Sequence, residues 1–237
     1  LGVTRTFLVS NDNGVYSMYD TIANLATYDA HGRVIRADSD VTLITSTDNT
    51  WKDTIAVSAH ANARAVYDYY LVSHNRSGVD GRKMRTPLVV HYTEDGKPYN
   101  NAFWAGKFMA FGDALPYARA LDVVAHELTH GVIQFTAGLD YKFQPGAINE
   151  ALADVMACMV DPDWTLGEDL PGGAIRDLEN PGKYGLPGNM SDYKSMPIGE
   201  DNGGVHENMG IPSHAYAILA NSIGREKTAR IVYRLLD

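Results

Sequence analysis

The sequence predicts an α+β protein, β-rich in its front half and mainly helical in its back half. Three features carry that prediction. The first third is dense in Thr, Val, Ile, Asp and Gly, with short apolar segments broken by turn dipeptides such as Asn13-Gly14 and His31-Gly32. From Leu121 onward the apolar residues recur mainly at helical spacing. Residues 161–210 are crowded with Gly, Pro, Asn and Asp, and a loop that long in a compact protein is usually functional or ion-stabilised.

Taken in order, Thr6-Phe7-Leu8-Val9 and Val41-Thr42-Leu43-Ile44-Thr45 read as short strands. Ile55, Ala59, Ala63, Val66, Tyr70 and Val72 then recur near helical spacing and predict a helix over 54–74. Strands resume at 88–92 and 108–111. The segment 122–136 lacks proline and carries an apolar stripe of Val123, Val124, Leu128, Val132 and Ile133, with Gly138 as its stop signal. A second helix is expected over 146–160, and helices return at 212–222 and 225–236. This pattern divides the chain into a β-rich domain over 1–138, ending in a long helix, and a helical domain over 139–237.

Composition narrows the function. The chain has 237 residues, of which 45% are hydrophobic, and a formal net charge of −9. A basic stripe for nucleic acid is absent from the sequence, as is any run of about 18 apolar residues that would span a membrane. The single cysteine, Cys158, sits in Val155-Met156-Ala157-Cys158-Met159 and reads as a buried small hydrophobe. Leu1 in place of Met is compatible with a processed mature chain or with a boundary of the piece sequenced.

The chemistry concentrates in His126-Glu127-Leu128-Thr129-His130. Histidines at i and i+4 project from one face of a helix, so both imidazoles reach a single ion while Glu127 lies beside it as a general base. A catalytic zinc takes three protein ligands and keeps one position open. Nineteen residues after His130 comes Asn149-Glu150-Ala151-Leu152-Ala153-Asp154 on the next expected helix. Glu150 and Asp154, again i and i+4, supply a third ligand and a carboxylate to orient a ligating imidazole.

These motifs together resemble the thermolysin-like family of zinc metalloendopeptidases. Tyr99-Asn100-Asn101-Ala102-Phe103-Trp104 is similar to its substrate-binding edge strand, Thr136-Ala137-Gly138-Leu139-Asp140-Tyr141 to the segment ending in its catalytic tyrosine, and Asp201-Asn202-Gly203-Gly204-Val205-His206 to the segment with its catalytic histidine. The resemblance implies one catalytic zinc on His126, His130 and Glu150, supported by Asp154 and Asn149, in a cleft between the two domains. It implies oxyanion donors at Tyr141 and His206, with Asp201 orienting His206. It implies substrate contacts from Asn101, Ala102 and Arg176. Val123, Leu166, Leu170 and Ile175 would line a pocket for a bulky hydrophobic residue after the scissile bond.

The same resemblance implies a structural calcium near the cleft. Asp122, Asp163 and Glu168 look like retained ligands, with Asp161 a further candidate. Cys158, Met159, Val160 and Thr165 stand where more oxygen ligands would fall, so one ion is expected rather than two. The expected protein is secreted and acts on peptides and proteins. Family members continue for further helices past Leu236, so either the chain is a minimal variant or an associated C-terminal fragment completes it. A removed propeptide is also compatible. The rival readings are a zinc aminopeptidase, for which no acidic anchor for a free amine is identified, and an inactive zinc-binding protein of the same fold. Retention of Glu127, Tyr141 and His206 favours the enzyme.

Overall fold

The computed structural model describes residues 4–236. Strands β1 (Ser10–Asp12) and β2 (Val15–Ser17) form a hairpin. Asn13 and Gly14 both take positive φ in its two-residue turn, the conformation whose twist matches that of the flanking strands. The remaining elements of the front half are β3 (Tyr19–Asp20), β4 (Leu25–Arg33), β5 (Thr42–Leu43), β6 (Thr45–Ser46), α1 (Thr54–His74), β7 (Thr86–Glu94), β8 (Lys97–Pro98), β9 (Ala102–Trp104) and β10 (Met109–Gly112). The back half contains α2 (Leu121–Gln134), α3 (Phe143–Val160), the small β11 (Thr165–Leu166) and β12 (Arg176–Asp177), then α4 (Asp201–Asn208), α5 (Gly210–Ile223) and α6 (Arg225–Arg234).

The larger sheet runs β3-β4-β7-β10-β9. Its centre is parallel, β4 to β7 and β7 to β10, with α1 lying in the connection between β4 and β7, as a parallel pair requires. Asp53 starts α1 by accepting from the Ile55 and Ala56 N–H groups, and Asn75 ends it in the left-handed region. The last strand, β9, runs antiparallel to β10 and has no strand on its other side among the described residues, so it presents a free edge. The chain reaches that edge by a close pass at Gly112, where a Cβ would fall 2.0 Å from the Tyr99 carbonyl oxygen.

One continuous core joins the sheet to the helices through Met18, Leu88, Phe111, Val124, Ile133, Met156, Leu178 and Val232. The opposite face of the sheet has a smaller cluster of Ala30, Val89, Tyr92 and Ala110. α2 and α3 pack on each other and are buried over most of their length, which carries their polar residues into the interior.

Several sequence expectations are corrected. Residues 6–9 form no strand, and the first begins at Ser10. The segment 41–45 splits into the two-residue pieces β5 and β6, which pair in different sheets. His31-Gly32 is an irregularity within β4 rather than a turn between strands, the register against β7 shifting between Asp29 and Arg33. β4 itself, nine residues at the heart of the sheet, was not anticipated. α3 starts at Phe143, earlier than Gly146. Within 161–210, α4 begins at Asp201. Among the described residues no helix is long and apolar enough to cross a membrane.

Candidate active site

Helix α2 has its two histidines one turn apart on the face turned toward α3. Their Nε2 atoms lie 3.0 Å apart. Glu150, from α3, places Oε2 3.3 Å from His126 Nε2 and Oε1 3.3 Å from His130 Nε2. A tetrahedron with ligand bonds of about 2.0–2.2 Å has edges of about 3.3–3.6 Å, so the trio is spaced for a shared zinc-sized cation. Among the described residues, Glu150 Oε2 is buried without a hydrogen-bond partner, an arrangement that a cation would complete. Burial opposes a charged His126, yet the Asp154 and Glu150 carboxylates outweigh it and push the imidazole up to about 10. The donor set fits zinc.

Supporting contacts surround the trio. His126 Nδ1 is 2.7 Å from Asp154 Oδ1, and His130 Nδ1 is 2.8 Å from Asn149 Oδ1. Arg176 donates to both Asp154 oxygens, Nε and Nη2 each at 2.7 Å. Arg176 has a partner the sequence did not suggest: Asp154, rather than its neighbours Asp177 or Glu179.

Glu127 lies on the same helix with its carboxylate turned to the sheet edge, where Oε2 accepts the Trp104 backbone N–H at 2.9 Å. Burial raises its carboxyl above the ordinary range, against the pull of the His126 and His130 charges. Tyr141 donates its hydroxyl to Glu150 Oε1 and stands 3.1 Å from His206 Nε2. Burial and the Glu150 charge push its phenol up, so it remains a proton donor at neutral pH.

His206 reaches the site through an uncommon piece of backbone. Asp201, Asn202, Gly203 and Gly204 take φ of 48°, 49°, 85° and 82°, a left-handed turn at the start of α4. Two adjacent glycines make that turn accessible, because a Cβ disfavours it. The turn brings the Asp201 carboxylate under the following residues, where it accepts from His206 Nδ1 at 2.5 Å and from the His206 backbone N–H at 2.7 Å. The ring is thereby oriented with Nε2 toward Tyr141.

Two hollows that share Asn101, His126, Glu127, Glu150 and His206 flank these residues. The larger, about 620 Å³, is bordered by Asn101 to Trp104, Gly106, Gln134, Leu139 and Tyr141, and includes His126, Glu127, His130 and Glu150. The smaller, about 110 Å³, is lined by Val123, Leu166, Ile175 and Arg176 together with Tyr117. Leu170 is buried beside Gly167 and is not part of that wall. Sequence reasoning missed Tyr117, Leu139, Gln134 and the Trp104 amide. Gln134 was within reach of helical periodicity, one turn beyond His130.

In the first turn of α2, one turn before His126, Asp122 brings a carboxylate oxygen within 4.8 Å of those of Asp161 and Glu168. Asp163 does not join them: its Oδ1 accepts from the Thr165 N–H and hydroxyl at 2.7 and 3.0 Å. Burial raises Asp122 to about 7, with the Glu168 and Asp161 charges adding to it. It lies inside the first turn of α2, past the N-cap at Ala120.

The site thus places a free strand edge beside a helix with two histidines, a carboxylate from the next helix and a second glutamate turned toward that edge. The chain belongs to the thermolysin metallopeptidase family: residues 1–134 match the family model of its catalytic domain and residues 137–237 that of its α-helical domain. Bacillolysin from Brevibacillus brevis is 41% identical over 259 residues, covering 100% of this chain and 48% of that protein. Thermolysin from Bacillus sp. (strain EA1) is 39% identical, covering 94% of this chain and 45% of that protein. The chain thus spans about half the length of these curated relatives. The solved structure of the precursor of protealysin, a metalloproteinase from Serratia proteamaculans, superposes with a TM-score of 0.79 at 31% identity, covering 90% of this chain and 74% of that one.

Proposed function

We propose that the chain is a secreted zinc-dependent endopeptidase that cleaves peptide bonds on the N-terminal side of bulky hydrophobic residues. The observation that carries this reading is the convergence of His126, His130 and Glu150 beside Glu127, in a cleft bordered by a free strand edge. The three ligands would hold a zinc ion, which when bound lowers the pKa of water to about 7 and polarises a carbonyl. Glu127 takes the proton of the attacking water and delivers it to the leaving nitrogen. Tyr141 and His206 donate to the oxygen that gains charge as the carbonyl carbon becomes tetrahedral, and Asp201 holds His206 for that task. Asn101 and the outward-facing amide groups of β9 pair with the extended substrate as an added strand. Val123, Leu166 and Ile175 receive the apolar side chain after the scissile bond, while Arg176, anchored by Asp154, faces the substrate backbone.

Asp122, Asp161 and Glu168 are assigned to one calcium ion.

The test is hydrolysis of an internally quenched peptide with Leu or Phe after the scissile bond. The chain and Glu127→Ala are compared with and without a zinc chelator, followed by zinc add-back. Activity lost in the variant and on chelation, then regained with zinc, is the expected result. A folded, zinc-loaded chain that cleaves nothing would sink the reading.

A further inference from the structure

Trp104 is fastened to α2 more firmly than its place in a three-residue edge strand requires. Its backbone N–H donates to Glu127 Oε2 at 2.9 Å, and its indole Nε1–H donates to Gln134 Oε1 at 2.8 Å. The Gln134 amide nitrogen in turn donates to the Gly106 carbonyl at 3.1 Å. That carbonyl lies in the turn where the chain reverses toward β10, closed by Ala105 N–H donating to Phe108 C=O at 2.8 Å. The indole ring rests on Gly131, where an added Cβ would come within 3.1 Å of Trp104 Cζ2. Glu127, Gly131 and Gln134 follow one another at spacings of four and three, so they form one face of α2.

A carboxamide suits this position because it accepts from the indole and donates to the carbonyl at once. Edge strands this short are weakly held by their one neighbour and open easily. Fraying of β9 would disturb two things together: the backbone groups that pair with a peptide, and the amide that sets the Glu127 carboxylate.

We propose that Gln134 is a positioning residue for peptide hydrolysis, clasping the substrate-pairing edge of β9 to the helix that carries the general base. The inference rests on the endopeptidase reading above. Gln134 and Trp104 line the larger hollow with Glu127, so the clasp lies beneath the path of the bound peptide.

The experiment uses the full zinc-loaded chain and two quenched peptides with the same scissile bond, one minimal and one extended by two residues on each side. For Gln134→Ala, kcat is expected to fall about tenfold, on the scale of one or two lost neutral hydrogen bonds and a misplaced base, with KM changed less than about threefold. The advantage of the extended over the minimal peptide in kcat/KM should shrink toward one, which loss of stability alone would not do. Gln134→Glu keeps the indole acceptor but loses the donor, and should fall between. Trp104→Phe should reproduce Gln134→Ala, and the double variant should be no worse than the poorer single. Unchanged kcat and length preference in folded Gln134→Ala would overturn the clasp, as would additive losses in the double variant. Failure of both Gln134 variants to fold would overturn it too, making Gln134 a folding residue. If the unaltered chain cleaves neither peptide, the endopeptidase reading itself fails and the positioning role falls with it.

Discussion

Asp154→Asn isolates how the metal trio is supported. Asp154 is 1% exposed and receives two hydrogen bonds of 2.7 Å from Arg176 as well as facing His126 Nδ1 at 2.7 Å. The near-isosteric amide removes the charge and leaves a buried guanidinium without its counter-ion. Breaking a buried pair from one side costs about 3–5 kcal/mol, and the 18% exposure of the Arg176 side chain lets water reach it, which favours the lower end. Stability should therefore drop by about 3 kcal/mol, measured by urea unfolding of the zinc-free protein. Zinc affinity, measured by competition with a chromophoric chelator, should fall about 10–100-fold because His126 loses its partner. Adding Arg176→Met should restore most of the stability but not the zinc affinity. Burial opposes ionisation of Asp154, but the Arg176 and His126 charges outweigh it and hold the carboxyl below its ordinary value. Its contribution is thus fully present above the unfolded carboxyl pKa of about 3.9 and is lost only as pH falls through the lower folded value. The difference between variant and parent should be flat from neutral pH to about 5. A loss under about 1 kcal/mol together with unchanged zinc affinity would refute this account of Asp154.

Three further outcomes follow from the same geometry. With His206 as the proposed oxyanion donor, His206→Ala should lower kcat about 100–1,000-fold with zinc content unchanged; a loss in zinc content instead would point to a ligating role. His91 bridges Asp53 and Asp113 at 2.8 and 2.9 Å, and the hydrogen bond it donates to Asp53 leads the contributions that raise it to about 9. A raised pKa stabilises below the unfolded value of about 6.5 and fades as pH rises through about 9, so His91→Gln should cost about 1–2 kcal/mol at pH 6, after solvent screening, and little above pH 10. A penalty that grows with pH would contradict the charged bridge. Gly203→Ala should cost about 2–4 kcal/mol, because φ is 85° and the new Cβ would lie 2.2 Å from Phe143 Cδ1. Thermal unfolding reads that loss, and an unchanged Tm would mean that the turn relaxes freely.

The parts of this protein legible in its sequence are those governed by short-range periodicity. His126 with His130 and Glu150 with Asp154 are pairs one helical turn apart, and a helix aligns such pairs whatever surrounds it. The same regularity marks α1, whose expected span of 54–74 matches Thr54–His74. β4 escaped notice because Ala26, Thr27, Asp29, Ala30 and His31 show no clean alternation, and its strand character comes from parallel pairing with β7 some sixty residues away. Residues 6–9 failed in the opposite sense: their run of apolar and β-branched residues pairs with no strand among the described residues. Gly203 and Gly204 read as loop, since glycine disfavours a helix, yet Asp201 gathers the backbone there into the turn that starts α4. Loop carboxylates depended most on three-dimensional context. Asp161 joins Asp122 and Glu168, while Asp163 turns its Oδ1 to the Thr165 N–H and hydroxyl. Arg176 finds Asp154 rather than its neighbours because a fully buried carboxylate draws the nearest available guanidinium. Local spacing named the candidate metal ligands and the proposed base; the shape of the cleft, the hold on its edge strand and the partners of its charges arose from contacts between distant segments, which local spacing does not encode.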